Sequence, residues 1–133
     1  MKKIFIQMKT FKSSISMDKR TIVLTKFPFT DLSSSKRRPA VIISKVTDSE
    51  PDVIVSFISS VIPETPKETD YILETTHKDF DQTGLKKTSV FKMDKLATLE
   101  KSLFTGELGT ISDDIYQELK IRLTKALDID AIS

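Results

Sequence analysis

Two apolar runs most constrain the fold: "PAVIISK" (Pro39–Lys45) and "DVIVSFI" (Asp52–Ile58). Both are strongly β-forming and nearly continuous, the pattern of strands covered on both faces. Four more short segments carry β signals between turn-forming residues. They are "TIVLTKF" (Thr21–Phe27, closed by Pro28), "DYILETT" (Asp70–Thr76), "TSVFKM" (Thr88–Met93) and an edge-like "LFTGELG" (Leu103–Gly109). Strands at this spacing predict a small barrel rather than a βαβ fold. The end of the chain differs. "SDDIYQELKIRLTKAL" (Ser112–Leu127) predicts a helix, with Ser112 as N-cap and Asp113 and Asp114 in the electropositive first turn. Ile115, Leu119, Leu123 and Ala126–Leu127 share a face that would pack on the barrel, while Lys120 and Lys125 point away. The expected class is mainly β with a C-terminal α-helix.

Composition narrows the chemistry. At 133 residues the chain builds one domain with a modest core. Residues 1–18 read as a lightly structured extension and 19–133 as the compact domain; translation from Met17 is compatible with the same sequence. No segment approaches the roughly 18 consecutive apolar residues of a membrane span. The patch Ile4–Met8 is too short for a signal-peptide core, so a cytoplasmic protein with no membrane partner is expected. There is no cysteine, which removes disulfides, thiolate metal sites and cysteine nucleophiles. His77, the single histidine, lies in a polar loop, which removes histidine pairs and His-rich metal sites. No metal and no cofactor are expected. Carboxylates, hydroxyls, Lys and Arg must carry any reaction.

The net charge of +2 conceals an imbalance. Residues 1–45 hold eleven Lys/Arg against two Asp; residues 46–133 hold ten Lys/Arg against seventeen Asp/Glu. The basic third points to a polyanion or an acidic partner, unless the charges interleave once folded. Lys36, Arg37 and Arg38 gather immediately before Pro39. Pro39 biases Arg38 to an extended backbone at the mouth of a buried strand, and a guanidinium there matches two phosphate oxygens. Three solvated charges in a turn would read the same. Ser59 and Ser60 end the third strand with hydroxyls that can bond a phosphate oxygen, a ribose 2′-hydroxyl or simply the strand terminus. Lys92 and Asp94 are two apart, hence on one strand face. They read as an electrostatic clamp with an acid or base, or as a surface ion pair.

Taken together, "IVLTKFPFTDLSSSKRRPAVIIS", "DVIVSFISS" and "TGLKKTSVFKMDKLATLEKSLFTGELGTIS" resemble the PemK/MazF family of type II toxin–antitoxin toxins. The resemblance implies an SH3-like β-barrel of the CcdB/Kid/MazF type, a homodimer, and metal-independent cleavage of single-stranded RNA. In that chemistry the ribose 2′-hydroxyl attacks the adjacent phosphorus, leaving a 2′,3′-cyclic phosphate and a 5′-hydroxyl. It also implies an acidic cognate antitoxin that wraps into the RNA groove. Carried over by motif, Arg38 contacts the scissile phosphate and assists catalysis, and Ser59 takes the place of a family hydroxyl. Lys92 and Asp94 fall where one branch has an arginine and an aspartate. Lys36, Arg37, Ser60 and Lys92 make up the RNA-binding set; Arg38, Ser59 and Asp94 form the catalytic one. Family members commonly open the first strand with Gly-Asp, where this chain has Arg20-Thr21. Two other readings stay open at this point. One is a non-enzymatic inhibitor of the gyrase-poison type. The other is a decayed toxin that binds RNA or antitoxin without cutting.

Overall fold

The computed structural model describes residues 17–26 and 36–130. Six antiparallel strands form one sheet: β1 (Thr21–Lys26), β2 (Arg37–Ile42), β3 (Asp52–Ser59), β4 (Asp70–Leu73), β5 (Ser89–Glu100) and β6 (Phe104–Thr110). The order across the sheet is β4-β5-β3-β2-β1-β6. A single helix, α1 (Asp113–Leu127), follows. The sheet is open: among the described residues its outer strands, β4 and β6, each pair on one side only. The expected barrel is thus not closed by hydrogen bonds between β4 and β6. Residues 1–16 of the expected 1–18 extension, and Phe27, lie outside the described residues.

Alternation along the strands splits the core into two clusters. Ile22, Val41, Ile58, Phe91 and Met93 face one way and are sealed by Ile115 and Leu119 of α1. Val23, Ala40, Ile42, Val55, Leu99 and Phe104 face the other. Pairs such as Ile22↔Val41 and Val23↔Ala40 keep each cluster in register across strands. The helix begins as its sequence dictates, with the Ile115 N–H donating to Ser112 Oγ at 3.3 Å. Leu127 is half-exposed and does not join the packed face. It sits in the last turn, before Asp128 turns left-handed and ends the helix.

β5 departs most from expectation. It was expected to stop at Met93 but runs on to Glu100. Its pairing with β3 jumps from Phe57↔Lys92 to Ser56↔Leu96, so Met93, Asp94 and Lys95 oppose nothing on β3. This is an extended bulge. The buried Ser56 hydroxyl donates to the Lys92 carbonyl at 2.7 Å, and the Met93 N–H donates to the Thr69 carbonyl at 3.1 Å. These bonds satisfy groups that the broken ladder would otherwise leave unpaired. Three extra residues, an odd number, invert the alternation. Phe91 and Met93 enter the helix-side core, whereas Ala97 and Leu99 belong to the opposite one.

Two other boundaries move. β4 ends at Leu73 rather than Thr76, because Glu74–His77 form a turn with the His77 N–H on the Glu74 carbonyl. β2 starts at Arg37 and ends at Ile42, so Arg37 and Arg38 belong to the strand, paired with Lys26 and Thr25, and not to a loop before it.

Arg20, at the position of the family's usual glycine, has φ +87°. This is a left-handed backbone that glycine adopts freely and in which any other residue must be held. The Arg20 N–H donates to the Ile42 carbonyl at 2.8 Å and its carbonyl accepts from Ile111 at 3.0 Å. The guanidinium reaches Asp113 at 3.1 Å and lies 4.5 Å from the Tyr116 ring centre. The departure therefore falls beside the start of α1.

Candidate active site

Pro39 organises the site. It lies in β2 opposite Leu24, and the β2–β3 ladder begins only at the next residue, with Ala40↔Phe57. Proline has no N–H to extend that ladder. Beyond it the strands part. A cleft of about 370 Å³ opens, with Lys36–Pro39 on one side and Ile58–Val61 on the other. Leu85, Lys86 and Lys87, from the segment before β5, line it too.

The register aligns the side chains. Arg38 lies two residues before Ala40, and Ser59 two after Phe57, so both share the Ala40–Phe57 face. Lys92 pairs with Phe57 and joins the same face. A smaller adjoining cleft is lined by Arg38, Phe57, Ile58, Ser59, Lys92 and Lys95. Arg38, Ser59 and Lys92 thus converge from three strands on the sheet face opposite the helix. Ser59 Oγ accepts the Val61 N–H at 3.0 Å, leaving its own O–H able to donate to an anion.

Of the residues read from the sequence, Lys36, Arg37 and Ser60 line the main cleft with Arg38 and Ser59. Asp94 lies outside both linings. It stands on the bulge, hydrogen-bonded to Lys67 of the β3–β4 loop. That ammonium holds the Asp94 carboxyl below the usual carboxylate range, and Lys67 is raised in turn. Lys92 and Asp94 do not form an ion pair: the partner of Asp94 is Lys67.

Lys86, Lys87 and Lys95 were not singled out from sequence. The doublet in "TGLKKTSV" was visible, but nothing local places it against Arg38. The main cleft's described lining holds five cations (Lys36, Arg37, Arg38, Lys86, Lys87) and no carboxylate. Among the described residues no cluster of three or more His, Asp or Glu has the arrangement of a metal site, and no helix is long and apolar enough to cross a membrane. His77 lies away from the cleft, its Nδ1 accepting the Asp79 N–H at 2.9 Å.

Fold and cleft define a small mainly-β protein whose cationic surface sits where a strand ladder is interrupted. Within that class, the chain matches the model of PemK-like, MazF-like toxins of type II toxin–antitoxin systems over residues 18–127, and it belongs to that family. No curated protein sequence matches it. Among solved structures it is similar to the Mycobacterium tuberculosis toxin MazF-mt6, with TM-score 0.64 and 18% identity, covering 84% of this chain and 100% of that one. A MazE–MazF structure from Deinococcus radiodurans gives TM-score 0.65 and 17% identity over 85% and 96% of the two chains. An endoribonuclease from a mycobacterial species, in complex with its cognate antitoxin, gives 0.66 and 15% over 88% and 100%. At these identities the likeness speaks to the fold.

Proposed function

We propose that this toxin is a metal-independent endoribonuclease that cuts single-stranded RNA and so inhibits translation and growth. The observation that carries the reading is the convergence of Arg38, Ser59 and Lys92 on one sheet face, beside a cleft whose described lining is cationic. RNA supplies its own nucleophile. The 2′-oxygen bonds to phosphorus and its proton leaves to a base. The bond from phosphorus to the 5′-oxygen breaks, and that oxygen takes up a proton. The products are a 2′,3′-cyclic phosphate and a 5′-hydroxyl. The protein must hold the phosphate and stabilise the charge that grows on its oxygens, and a preorganised cation does both. Arg38 fills that role, fixed by strand pairing with Thr25 and by Pro39. The Ser59 hydroxyl donates to a phosphate oxygen, and Lys92 adds charge from the next strand.

Asp94 is the carboxylate assigned to proton transfer. Like any carboxylate it is ionised at neutral pH; the Lys67 ammonium lowers its pKa and so weakens it as a proton acceptor, and that bond must loosen for Asp94 to reach substrate. The same cationic cleft suits an acidic antitoxin segment, and complexes among the structural relatives support such a partner. A homodimer and a cytoplasmic location belong to the same reading.

The test uses a long single-stranded RNA in excess EDTA, with the ends mapped. Wild-type protein is expected to leave discrete cuts with 5′-hydroxyl ends. Arg38→Ala should slow them by about 10²–10³-fold, the scale for loss of one preorganised charge-stabilising group. RNA binding without cutting would favour a decayed toxin; neither binding nor cutting would favour a gyrase-type inhibitor.

A further inference from the structure

We infer that Val61 and Leu85 form a nucleobase subsite in the cleft, for the nucleotide adjoining the phosphate held at Arg38. The inference rests on the ribonuclease reading above.

Val61 is 76% exposed, more than any other large apolar residue among those described. A lone exposed valine is ordinary; this one is fixed in place and has a counterpart. Its N–H is bonded to Ser59 Oγ, so the residue that offers a hydroxyl to the phosphate also sets the valine beside it. Leu85 lines the same cleft from a different loop. Its N–H donates to Thr83 Oγ1 at 3.1 Å. The preceding Gly84 has φ +74° and sits so near the Leu108 carbonyl that a Cβ would fall 2.1 Å from its oxygen. Local backbone structure therefore presets both apolar walls before any ligand arrives.

The surroundings select the occupant. Lys86 and Lys87 follow Leu85 directly, and Arg37 and Arg38 stand on the β2 side. An apolar slot rimmed by cations fits an anion that carries a flat apolar body, which describes a nucleotide. At about 370 Å³ the cleft lies near the small end of ligand sites, about 300–1,000 Å³. That suits one splayed base of a single strand and not a duplex. Aliphatic walls clamp a ring by shape, so the subsite discriminates by ring size more than by stacking strength.

The experiment compares wild type, Val61→Ser and Val61→Ile on one long single-stranded RNA, with rates measured at every mapped cut. Val61→Ser is expected to melt as wild type does and to keep producing 5′-hydroxyl ends. Its preference among bases adjoining the cut should fall about tenfold, the discrimination that a small apolar contact provides. Val61→Ile should retain a preference. An unchanged pattern of site preferences in Val61→Ser overturns the subsite and leaves the ribonuclease reading intact. Failure of wild type to cut at all overturns the ribonuclease reading, and the subsite with it.

Discussion

The two faces of the sheet are built to opposite ends. On the helix side the central residues are closed over. Ile115 and Leu119 of α1 seal Ile22, Val41, Phe91 and Met93, and acidic residues of the adjoining segments pair locally, as Asp79 and Asp114 do with Lys78. On the other side a ladder stops early. Phe57 stays half-buried, and cations collect along the gap. β3 shows both behaviours in one strand. It pairs with β5 over its whole length, yet with β2 only from Val55 to Phe57. The face opposite the helix is itself divided: Val23, Ala40, Ile42, Val55, Leu99 and Phe104 build a second core, and the cations gather beyond Ala40, where the ladder stops. Pro39 stands where the ladder stops, and it lacks the backbone donor that the next pair would need.

That division makes the two faces separable by mutation. Leu119→Ala, at a side chain 1% exposed, should cost about 2–5 kcal/mol in urea unfolding. It should leave the cleavage rate of the folded protein unchanged, and a large loss of rate below the unfolding transition would break the comparison. Pro39→Val should do the reverse. With an N–H restored, β2 and β3 can zip past Ala40 and narrow the cleft. RNA cleavage should then fall roughly ten- to hundredfold, the penalty for small misplacements at a site. Thermal stability should hold or rise, and hydrogen exchange at Ile58 should slow; cleavage at the wild-type rate would show that the gap does not depend on Pro39.

The smallest effect concerns Asp94, at the edge of the cationic face. Its folded pKa lies below the ordinary carboxylate value of 3.8, so its contribution is present above that value and lost as pH falls through the lowered one. Urea titrations of wild type and Asp94→Asn should differ most near neutral pH and converge in acid. A difference that grows on acidification would remove Lys67 as the cause.

Much of this was legible along the chain. β-branched runs located the strands, and Ser112 with two following aspartates fixed the start of the helix. The arginines before Pro39 pointed to the cleft, although they proved to be strand residues, since pairing with Thr25 and Lys26 extends β2 backwards. The second half of β5 was not legible. Alternation is the signal for a strand, and three inserted residues reverse its phase in the middle of the element. The charge imbalance was informative only in part. Lys86 and Lys87 come from the acidic portion of the chain, and only tertiary structure carries them to Arg38. Asp94 and Lys92 are neighbours in sequence, but the bulge begins between them, and spacing alone could not foresee Lys67.

The bulge at Met93–Lys95 also bears on how relatives of this chain should be read. Each half of β5 keeps its own inside–outside phase, with a joint between them that no β3 residue opposes. A residue gained or lost in the strand would turn one half over, driving its apolar side chains into water. Sequences of this kind should therefore align as two separate strands whose phase resets between Met93 and Leu96, and a method that demands one continuous strand will place the second half on the wrong face.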